Sequence, residues 1–417
     1  MSFPTAPLWA QASLNDEVLP EATRPDWEFE YIDIGSVSRN HGVIATQRLT
    51  FGSAPSRARR VVRAGDVIVS TVRTYLRAVA RISDECDGCV ASTGFAVLRA
   101  RRNADARFLG YAVVDPVFVD RVIALSVGVS YPAITPMSLI RMRIAAPDLI
   151  TQQTIADFLD RESDRISEAL RSAARLTDRC ERLLATMTDY IPESECQRLK
   201  VGVQGSLAYG ASENSGQGEP GWPRFIRITD IGQHGELLDD VRRLAPEVAK
   251  PYLLMDGDVL LARSGATVGK SFLYRSEHHG PCCFAGYLVR ARCDVTRLLP
   301  EFLYLATLSD RWWDQIALSQ TQATIPNVSA ARYGEMRVPM PDIETQQLVV
   351  ARGLELREAL AAARNAHAQL SMRLNEHRDS LIHEAVTGKL DITRASERQM
   401  EERLHAASEG RLDEVAV

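Results

Sequence analysis

Short apolar runs, broken by Gly, Asp, Asn and Pro, fill two separate stretches of the chain. Such runs predict β-strands, and each stretch also contains a longer segment with helical spacing. The first stretch has predicted strands at Tyr31–Ile34, Val61–Val62, Val67–Thr71 and Phe95–Leu98, and a predicted helix at Phe108–Ile123. The second has strands at Phe225–Ile228, Val259–Ala262 and Tyr287–Arg290, and a helix at Pro300–Ala317. Each stretch predicts a mixed α/β domain of about 120 to 150 residues.

A helical pattern follows each stretch, with apolar or small residues spaced alternately by three and four positions. This spacing keeps one stripe on one helix face, which is typical of a coiled coil. Both predicted helices follow Pro-Asp, and Thr151 and Thr345 are expected to cap their first turns. The predicted seams are Ile166, Ala169, Ala173, Leu176, Cys180, Leu183 and Met187, and then Leu360, Ala363, His367, Leu370, Leu374, His377 and Leu381.

The two halves of the chain repeat one another. The segment from Tyr131 to Gln153 reappears without a gap from Ile325 to Gln347, about 194 residues later. Upstream, Gly65-Asp66-Val67-Ile68 reappears as Gly257-Asp258-Val259-Leu260, and Asp33-Ile34-Gly35 reappears as Asp230-Ile231-Gly232. The four repeated aspartates are expected to hold turns. A repeat this long predicts two copies of one domain-plus-helix unit.

These patterns together predict an α+β fold, in which two α/β domains are separated by two long antiparallel coiled-coil helices with an internal pseudo-twofold repeat. The predicted boundaries place the domains at residues 1–147 and 196–341 and the helical spacers at 148–195 and 342–391. Residues 392–417 are predicted to be a flexible acidic tail.

Charge is unevenly distributed along the chain. The formal net charge is -5, yet the segment from Arg39 to Arg107 holds 13 arginines and no lysine against 5 acidic residues. A basic segment inside an acidic chain is typical of a protein that binds a polyanion, most often DNA. The alternative is a basic surface that serves solubility alone.

The compartment predicted from composition is the cytoplasm. The sequence contains no apolar run near 18 residues and no signal-peptide pattern. Its seven cysteines form an odd set without disulfide-framework spacing, which suits reduced thiols. Cys86 and Cys89 have metal-ligand spacing, but the other half has no cysteines at the equivalent positions, so no metal site is predicted.

Two segments resemble catalytic motifs without matching them. Ser264-Gly265-Ala-Thr-Val-Gly269-Lys270-Ser271 is one residue too short for a phosphate-binding loop. Asp115-Pro-Val-Phe118 resembles the aromatic box of amino-methyltransferases, but its second proline is missing and its aromatic residue is misplaced. The sequence therefore predicts no catalytic site.

Six motifs in the chain carry a resemblance to a known family. They are Ile228-Thr-Asp-Ile-Gly232, Gly257-Asp-Val-Leu260, Arg263-Ser-Gly265, Thr324-Ile-Pro-Asn327, Pro341-Asp-Ile with Gln346, and Ser380-Leu-Ile-His-Glu-Ala-Val-Thr-Gly388-Lys389-Leu390. These motifs resemble those of the specificity subunit of type I restriction-modification systems. The resemblance covers residues 25 to 392 and is stronger in the second half. It departs from the family pattern at Thr151 and Thr345, where a glutamate is usual.

The resemblance implies a non-catalytic subunit whose two target-recognition domains read a bipartite, asymmetric DNA sequence. It further implies two methyltransferase subunits as partners, with restriction and translocase subunits able to join them. S-adenosylmethionine, ATP and Mg²⁺ would then bind to those other chains, and this chain would hold no cofactor.

Two alternatives to the family function remain open from the sequence: a self-contained DNA methyltransferase or nuclease, and a coiled-coil scaffold that does not bind DNA.

The candidate DNA contacts are side chains that can read bases or bind phosphates. The candidates are Arg57, Arg59, Arg60, Arg63, Arg73, Tyr75 and Arg77 in the first domain, and Arg242, Arg243, Arg263, Ser264, Thr267, Lys270, Gln320, Gln322 and Asn327 in the second.

Overall fold

The structure, a computed structural model, describes residues 3–39, 41–213, 216–232, 235–320 and 327–392. The chain divides into two compact units. The first contains Met1–Arg171 together with Ala368–Val417, and the second contains Ser172–His367. The predicted acidic tail at 392–417 lies outside the described residues, apart from its first position. None of the described helices combines the length and apolar character that crossing a membrane requires.

The first unit begins with a domain of short strands and helices. Its strands are β1 (Thr5–Pro7), β2 (Ala12–Leu14), β3 (Glu28–Ile32), β4 (Val37–Ser38), β5 (Gly42–Val43), β6 (Gln47–Thr50), β7 (Ala58–Val61), β8 (Val67–Ser70), β9 (Val79–Arg81), β10 (Val90–Ser92), β11 (Phe95–Ala100) and β12 (Arg143–Ala145). Its helices are α1 (Ala106–Val114), α2 (Pro116–Ala124), α3 (Pro136–Ile140) and the long α4 (Leu149–Thr186), which ends in the second unit.

The second unit follows the same plan with fewer strands described. Its strands are β13 (Cys196–Arg198), β14 (Ala208–Tyr209), β15 (Arg224–Ile226), β16 (Val259–Ala262), β17 (Ser271–Leu273), β18 (Cys282–Phe284), β19 (Leu288–Ala291) and β20 (Arg337–Pro339). Its helices are α5 (Pro246–Ala249), α6 (Ser276–His279), α7 (Pro300–Ala306), α8 (Asp310–Gln320), α9 (Ala330–Glu335) and the long α10 (Ile343–Thr387), which ends in the first unit.

The two units share one strand topology, which confirms the predicted internal repeat. The order β2-β11-β8-β9 in the first unit corresponds to β14-β19-β16-β17 in the second. The antiparallel pair β1-β12 corresponds to β13-β20, and the parallel pair β3-β10 corresponds to β15-β18. The core of the first unit packs this sheet against α1, α2 and the ends of both long helices, including Ile155 and Ile382.

A buried aspartate holds the equivalent turn before the central strand of each sheet. Asp66 accepts two hydrogen bonds from the guanidinium of Arg99, each 2.8 Å long, and a third from the backbone N–H of Arg63. Asp258 repeats the arrangement with Arg292, at 2.8 and 2.7 Å. Because a buried carboxylate without partners is costly, these bonds define the turn before the central strand. The predicted turn role of the two aspartates is therefore confirmed.

Two helices were predicted too long. The segment Phe108–Ile123 was predicted as one helix, but Asp115 ends α1 and caps α2 by accepting from the N–H of Val117. Pro116 then occupies the first turn of α2, where its missing N–H costs nothing. The predicted helix Pro300–Ala317 is likewise two helices, α7 and α8, separated at Thr307–Ser309.

The predicted capping role of Thr151 and Thr345 is wrong. The long helices begin one residue after Asp148 and Asp342, so the aspartates occupy the cap position and accept from the backbone N–H groups of the two threonines, at 3.0 and 2.8 Å. Hydrogen bonds from Thr151 lower the pKa of Asp148, and those from Thr345 lower the pKa of Asp342. Both caps therefore remain charged at neutral pH, which stabilises the helix N-termini.

A buried glutamine ties the start of each long helix to its domain. The side-chain oxygen of Gln152 accepts from the backbone N–H of Asp105 at 2.9 Å, and its amide donates to the carbonyl of Pro147 at 2.9 Å. Gln346 does the same with Leu299 and Pro341, at 2.8 and 2.9 Å. Since both glutamines are fully buried, each bond satisfies a backbone group that would otherwise lack a partner.

The long helices pack antiparallel, as predicted. In the second unit Glu181 on α4 pairs with Arg364 on α10 at 2.5 Å. Further along α4, Leu184 packs against Leu360, which lies earlier on α10. The two chain directions are therefore opposed.

The predicted seam has the right spacing but the wrong phase. Leu183 is 48% exposed, whereas its neighbour Leu184 is 5% exposed and Thr177 is buried in place of Leu176. On α10, Leu370 and His377 are exposed, and Ser371 and Arg378 are more covered. The less exposed positions are Ile166, Leu170, Ala173, Thr177, Cys180, Leu184 and Met187, and then Leu360, Arg364, His367, Ser371, Leu374, Arg378 and Leu381, so the observed seam is duplicated too.

Replacing Gln152 or Gln346 by Ala should reduce the free energy of unfolding by about 1–3 kcal/mol, because at least two backbone groups lose a hydrogen-bond partner. The neighbouring Gln153 and Gln347 are exposed and serve as matched controls. Their replacement by Ala should change stability by less than about 0.5 kcal/mol. Chemical denaturation of the four single variants measures this, and equal losses at buried and exposed glutamines would contradict the assigned role.

Leu184→Ala should destabilise the chain by about 2–3 kcal/mol, because it opens a cavity among Leu305 and Leu360. Leu183→Ala should cost less than about 0.5 kcal/mol, since that side chain faces solvent. Thermal unfolding of the two variants distinguishes the observed phase of the seam from the predicted one. A larger loss of stability for Leu183→Ala than for Leu184→Ala would support the seam phase predicted from the sequence.

Candidate nucleic-acid interface

Two neighbouring segments of the first unit form a single surface, here called loop A (residues 71–77) and loop B (residues 125–133). The hydroxyl of Thr74 donates to that of Ser126 at 2.8 Å. The backbone N–H of Arg73 donates to the carbonyl of Pro132 at 2.8 Å, and Val72 forms a bridge with Ala133. Most of these bonds are between backbone groups, so several side chains of the two loops, such as Arg73 and Tyr131, remain exposed, while Thr74 is buried.

Arg73 and Arg77 both belong to loop A but have different electrostatic partners. Both adopt the left-handed conformation, with φ of 51° and 53°, which is uncommon for arginine. The exposed guanidinium of Arg73 lies 4.7 Å from the ring centre of Tyr131. That of Arg77 forms an ion pair with Asp120 at 2.5 Å. Arg73 therefore keeps its positive charge available to a polyanion, and Arg77 has a carboxylate that competes for it.

Arg57 approaches loop A through the backbone at Thr93. Its carbonyl accepts from the N–H of Thr93 at 2.7 Å, and the next residue, Gly94, accepts from the N–H of Thr71 at 2.8 Å. A Cβ atom at Gly94 would lie 2.9 Å from Cδ1 of Ile34, so a larger residue there would require that side chain to shift. The exposed guanidinium of Arg57 donates to the hydroxyl of Tyr31 at 3.1 Å, and this bond raises its pKa. The structure thus brings Arg57 and loop A together.

The other predicted arginines of the first domain have local partners. Arg59 lies over the ring of Phe51 at 4.6 Å, and burial lowers the pKa of Arg60. Arg63 pairs with Glu17 at 2.7 Å. Hydrogen bonds from Arg63 and Arg99 lower the pKa of Glu17 to about 2, so its charge balances Arg63 at any physiological pH. Arg63 is consequently a weaker candidate for DNA contact than the sequence indicated.

The second unit has an equivalent of loop A after β16. The carbonyl of Arg263 accepts from the N–H of Val328 at 2.8 Å, as Thr71 accepts from Ile134 in the first unit. Arg263 lies 4.6 Å from the ring centre of Tyr209, and Ser264 forms a bridge with Asn327. Three predicted residues, Arg263, Ser264 and Asn327, are therefore adjacent.

The remaining predicted residues of the second domain lie elsewhere or outside the description. Arg242 pairs with Asp240 at 3.3 Å, and Arg243 donates to the carbonyl of Trp222 at 2.7 Å, so both support local loops. Lys270 faces a groove that Tyr304 and Arg357 also line. The backbone of Gln320 ends α8, but its side chain is outside the described residues, as is the whole of Gln322.

The segment that resembles a phosphate-binding loop is built differently. Its backbone N–H groups already donate within the protein: Val268 to Gly265, Lys270 to Thr267, and Gly269 to the carbonyl of Ala262 and the hydroxyl of Tyr333. Strand β17 follows it, where a phosphate-binding loop needs a helix N-terminus. These N–H groups are therefore not arranged to surround a phosphate.

The segment Asp115-Pro-Val-Phe118, which resembles the aromatic box of amino-methyltransferases, also has a structural role. Asp115 is buried, caps α2, and accepts from the imidazole Nδ1 of His383 at 3.0 Å when that nitrogen carries the proton. The cysteines Cys282, Cys283 and Cys293 belong to three different apolar clusters, and burial raises the pKa of each thiol. Within the described ranges, no three His, Cys, Asp or Glu side chains gather as metal ligands would.

Sequence reasoning missed the aromatic partners of the arginines. Tyr131 begins the duplicated segment and could have been selected as an aromatic residue beside a basic loop. Tyr31 and Tyr209 left no such signal, because each meets its arginine only after the strands pair. Stacking of an arginine on a ring orients the guanidinium and leaves its edge available for hydrogen bonds.

No family model and no curated protein sequence matches the chain. A solved chain from a study of complex assembly and conformational transition of the type I R-M system has 24% identity and a TM-score of 0.69, with 93% of this chain and 98% of that chain covered. This protein shares that chain's fold.

Two further solved structures align over similar lengths. The HsdS subunit from Thermoanaerobacter tengcongensis has 24% identity and a TM-score of 0.49, with 93% of this chain and 97% of that chain covered. The type I S subunit from M. genitalium has 15% identity and a TM-score of 0.41, with coverage of 93% and 96%.

Arg73→Ala should weaken DNA binding by about 1–3 kcal/mol, the range for an arginine that reads a base. Arg77→Ala is a matched control in the same loop, with the same left-handed backbone and an acidic partner, and should cost less than about 0.5 kcal/mol. The dissociation constants of both variants and of the unaltered chain for DNA are measured by fluorescence anisotropy at one fixed salt concentration, because phosphate contacts depend on salt. Equal losses would show that the ion pair with Asp120 does not limit Arg77.

Proposed function

We propose that this chain is the DNA sequence-specificity subunit of a type I restriction-modification complex. The observation that carries the proposal is one scaffold present twice with different side chains at the equivalent positions after the central strand. Where the first unit has Thr71, Val72 and Arg73, the second has Arg263, Ser264 and Gly265. The fold shared with a type I restriction-modification chain supports it.

Two domains of one topology but different surface residues suit a bipartite, asymmetric target. Each domain would read one half-site, with residues 1–147 and 196–341 as the two target-recognition domains. Arginines such as Arg73 and Arg263 supply bidentate donors for guanine or phosphate, and Asn327 is able to read adenine. The half-sites would differ because the reading side chains differ.

The same proposal places catalysis on partner chains. Two methyltransferase subunits would bind this chain, because the long helices are duplicated and each unit offers one similar helical surface. Restriction and translocase subunits would join them. S-adenosylmethionine, ATP and Mg²⁺ would be held by those subunits. The segments of this chain that resemble catalytic motifs are occupied by internal hydrogen bonds, which supports a reading role over a catalytic one.

The test is a methylation assay with the methyltransferase subunit that copurifies with this chain from its own host. Sequencing should detect methylated adenine at one bipartite, asymmetric motif only when both proteins are present. A chain carrying Arg73→Ala and Arg263→Ala should still copurify with the partner but lose or alter the motif, because neither side chain supports the core.

Either of two results would overturn the proposed function. One is sequence-specific methylation by the partner alone, and the other is methylation by this chain alone. The second result would favour a self-contained methyltransferase.

A further inference from the structure

Loop B displays an unusual concentration of exposed apolar side chains. Val127 is 81% exposed, Val129 is fully exposed and Tyr131 is 64% exposed. Tyr75 and Leu76 of the adjoining loop A are also exposed. Isolated apolar residues are common on protein surfaces, but a contiguous group marks a binding site.

The backbone holds these side chains outward. Val127 and Ala133 exchange two backbone hydrogen bonds, of 2.9 and 3.0 Å, which close loop B as a tight hairpin. Gly128 has a φ of 120°, and a side chain there would lie 3.1 Å from the carbonyl oxygen of Tyr131. Only glycine suits this turn, and the turn directs Val129 away from the protein. The exposure is therefore built into the loop.

The neighbouring charge indicates what covers this tip. Arg73 stacks on Tyr131, and Arg57 reaches the same surface through Thr93. An apolar tip beside exposed arginines suits DNA, because its phosphates attract the arginines and its base edges carry one apolar group. That group is the 5-methyl of thymine, exposed in the major groove. Valine is short, stiff at χ1 and unable to hydrogen-bond, so a methyl group is the base feature it can favour.

We infer that Val127, Val129 and Tyr131 determine specificity in the first half-site by apolar contact with the 5-methyl groups of thymine. The inference rests on the proposed function and adds a base preference to it. By the duplicated register, the second copy has Thr321, Ala323 and Ile325 at these positions, which lie outside the described residues. The inference is therefore confined to the first half-site.

The experiment begins by selecting preferred targets of the full chain from a random DNA library. Each thymine of the selected site is then replaced singly by deoxyuridine, which lacks only the methyl group. At one or more positions of the first half-site this should weaken binding about three- to five-fold, as expected for one buried methyl group. The variant Val127→Ser with Val129→Ser should discriminate thymine from deoxyuridine sites less than the unaltered chain does.

A matched control is Val295→Ser, which changes an exposed valine of the second unit. It should retain the full preference for thymine over deoxyuridine. Because the loop B valines are exposed, the double variant should also keep the melting temperature of the unaltered chain. For each protein, the affinity for the thymine site is divided by the affinity for the deoxyuridine site. Comparing this ratio between the variants cancels any effect of deoxyuridine on the DNA itself.

The outcomes separate this inference from the proposed function. Sequence-specific binding with no thymine preference, or a selected first half-site without an A·T pair, overturns the inference and leaves the proposed function intact. Loss of partner copurification in the double variant with base preference unchanged also overturns it, because loop B would then contact protein. Absence of any sequence-specific DNA binding overturns both.

Discussion

The buried glutamine at the start of each long helix is the contact on which the architecture depends. Gln152 joins the first turn of α4 to the start of α1, and Gln346 joins α10 to α7. A long helix joined to a domain by a single backbone connection would be free to change direction. The paired hydrogen bonds of a fully buried amide remove that freedom, since any other direction leaves backbone groups without partners.

The architecture was predictable because the same sequence motifs occur in both halves of the chain. The repeated Gly-Asp and Pro-Asp-x-x-x-Gln segments marked the turn before the central strand and the start of each long helix, and the structure places Asp66, Asp258, Gln152 and Gln346 there. The phase of the seam was not predictable from spacing alone. Leu183 and Leu184 satisfy the same alternation of three and four residues, and only packing against Leu305 of the domain selects Leu184.

The candidate site was less predictable, because the availability of an arginine depends on residues far away in sequence. Arg63 and Arg77 look equivalent to Arg73 in the sequence, yet Glu17 pairs with the first and Asp120 with the second. Only strand pairing and helix packing create those contacts. Loop B was not predictable either, because its valines resemble core residues in the sequence. Only the turn at Gly128, with its positive φ, places them outward.

The hydrogen bonds that fasten loop A to loop B have a consequence for divergence. They run mainly between backbone atoms, as from Arg73 to Pro132, and the bond from Ile134 to Thr71 lies just beyond loop B. Mutations at the tips can therefore replace one side chain by another with little effect on the folded state. Under the proposed function, a lineage carrying this scaffold can acquire new target sequences through a few substitutions, while the duplicated aspartates and glutamines remain under constraint.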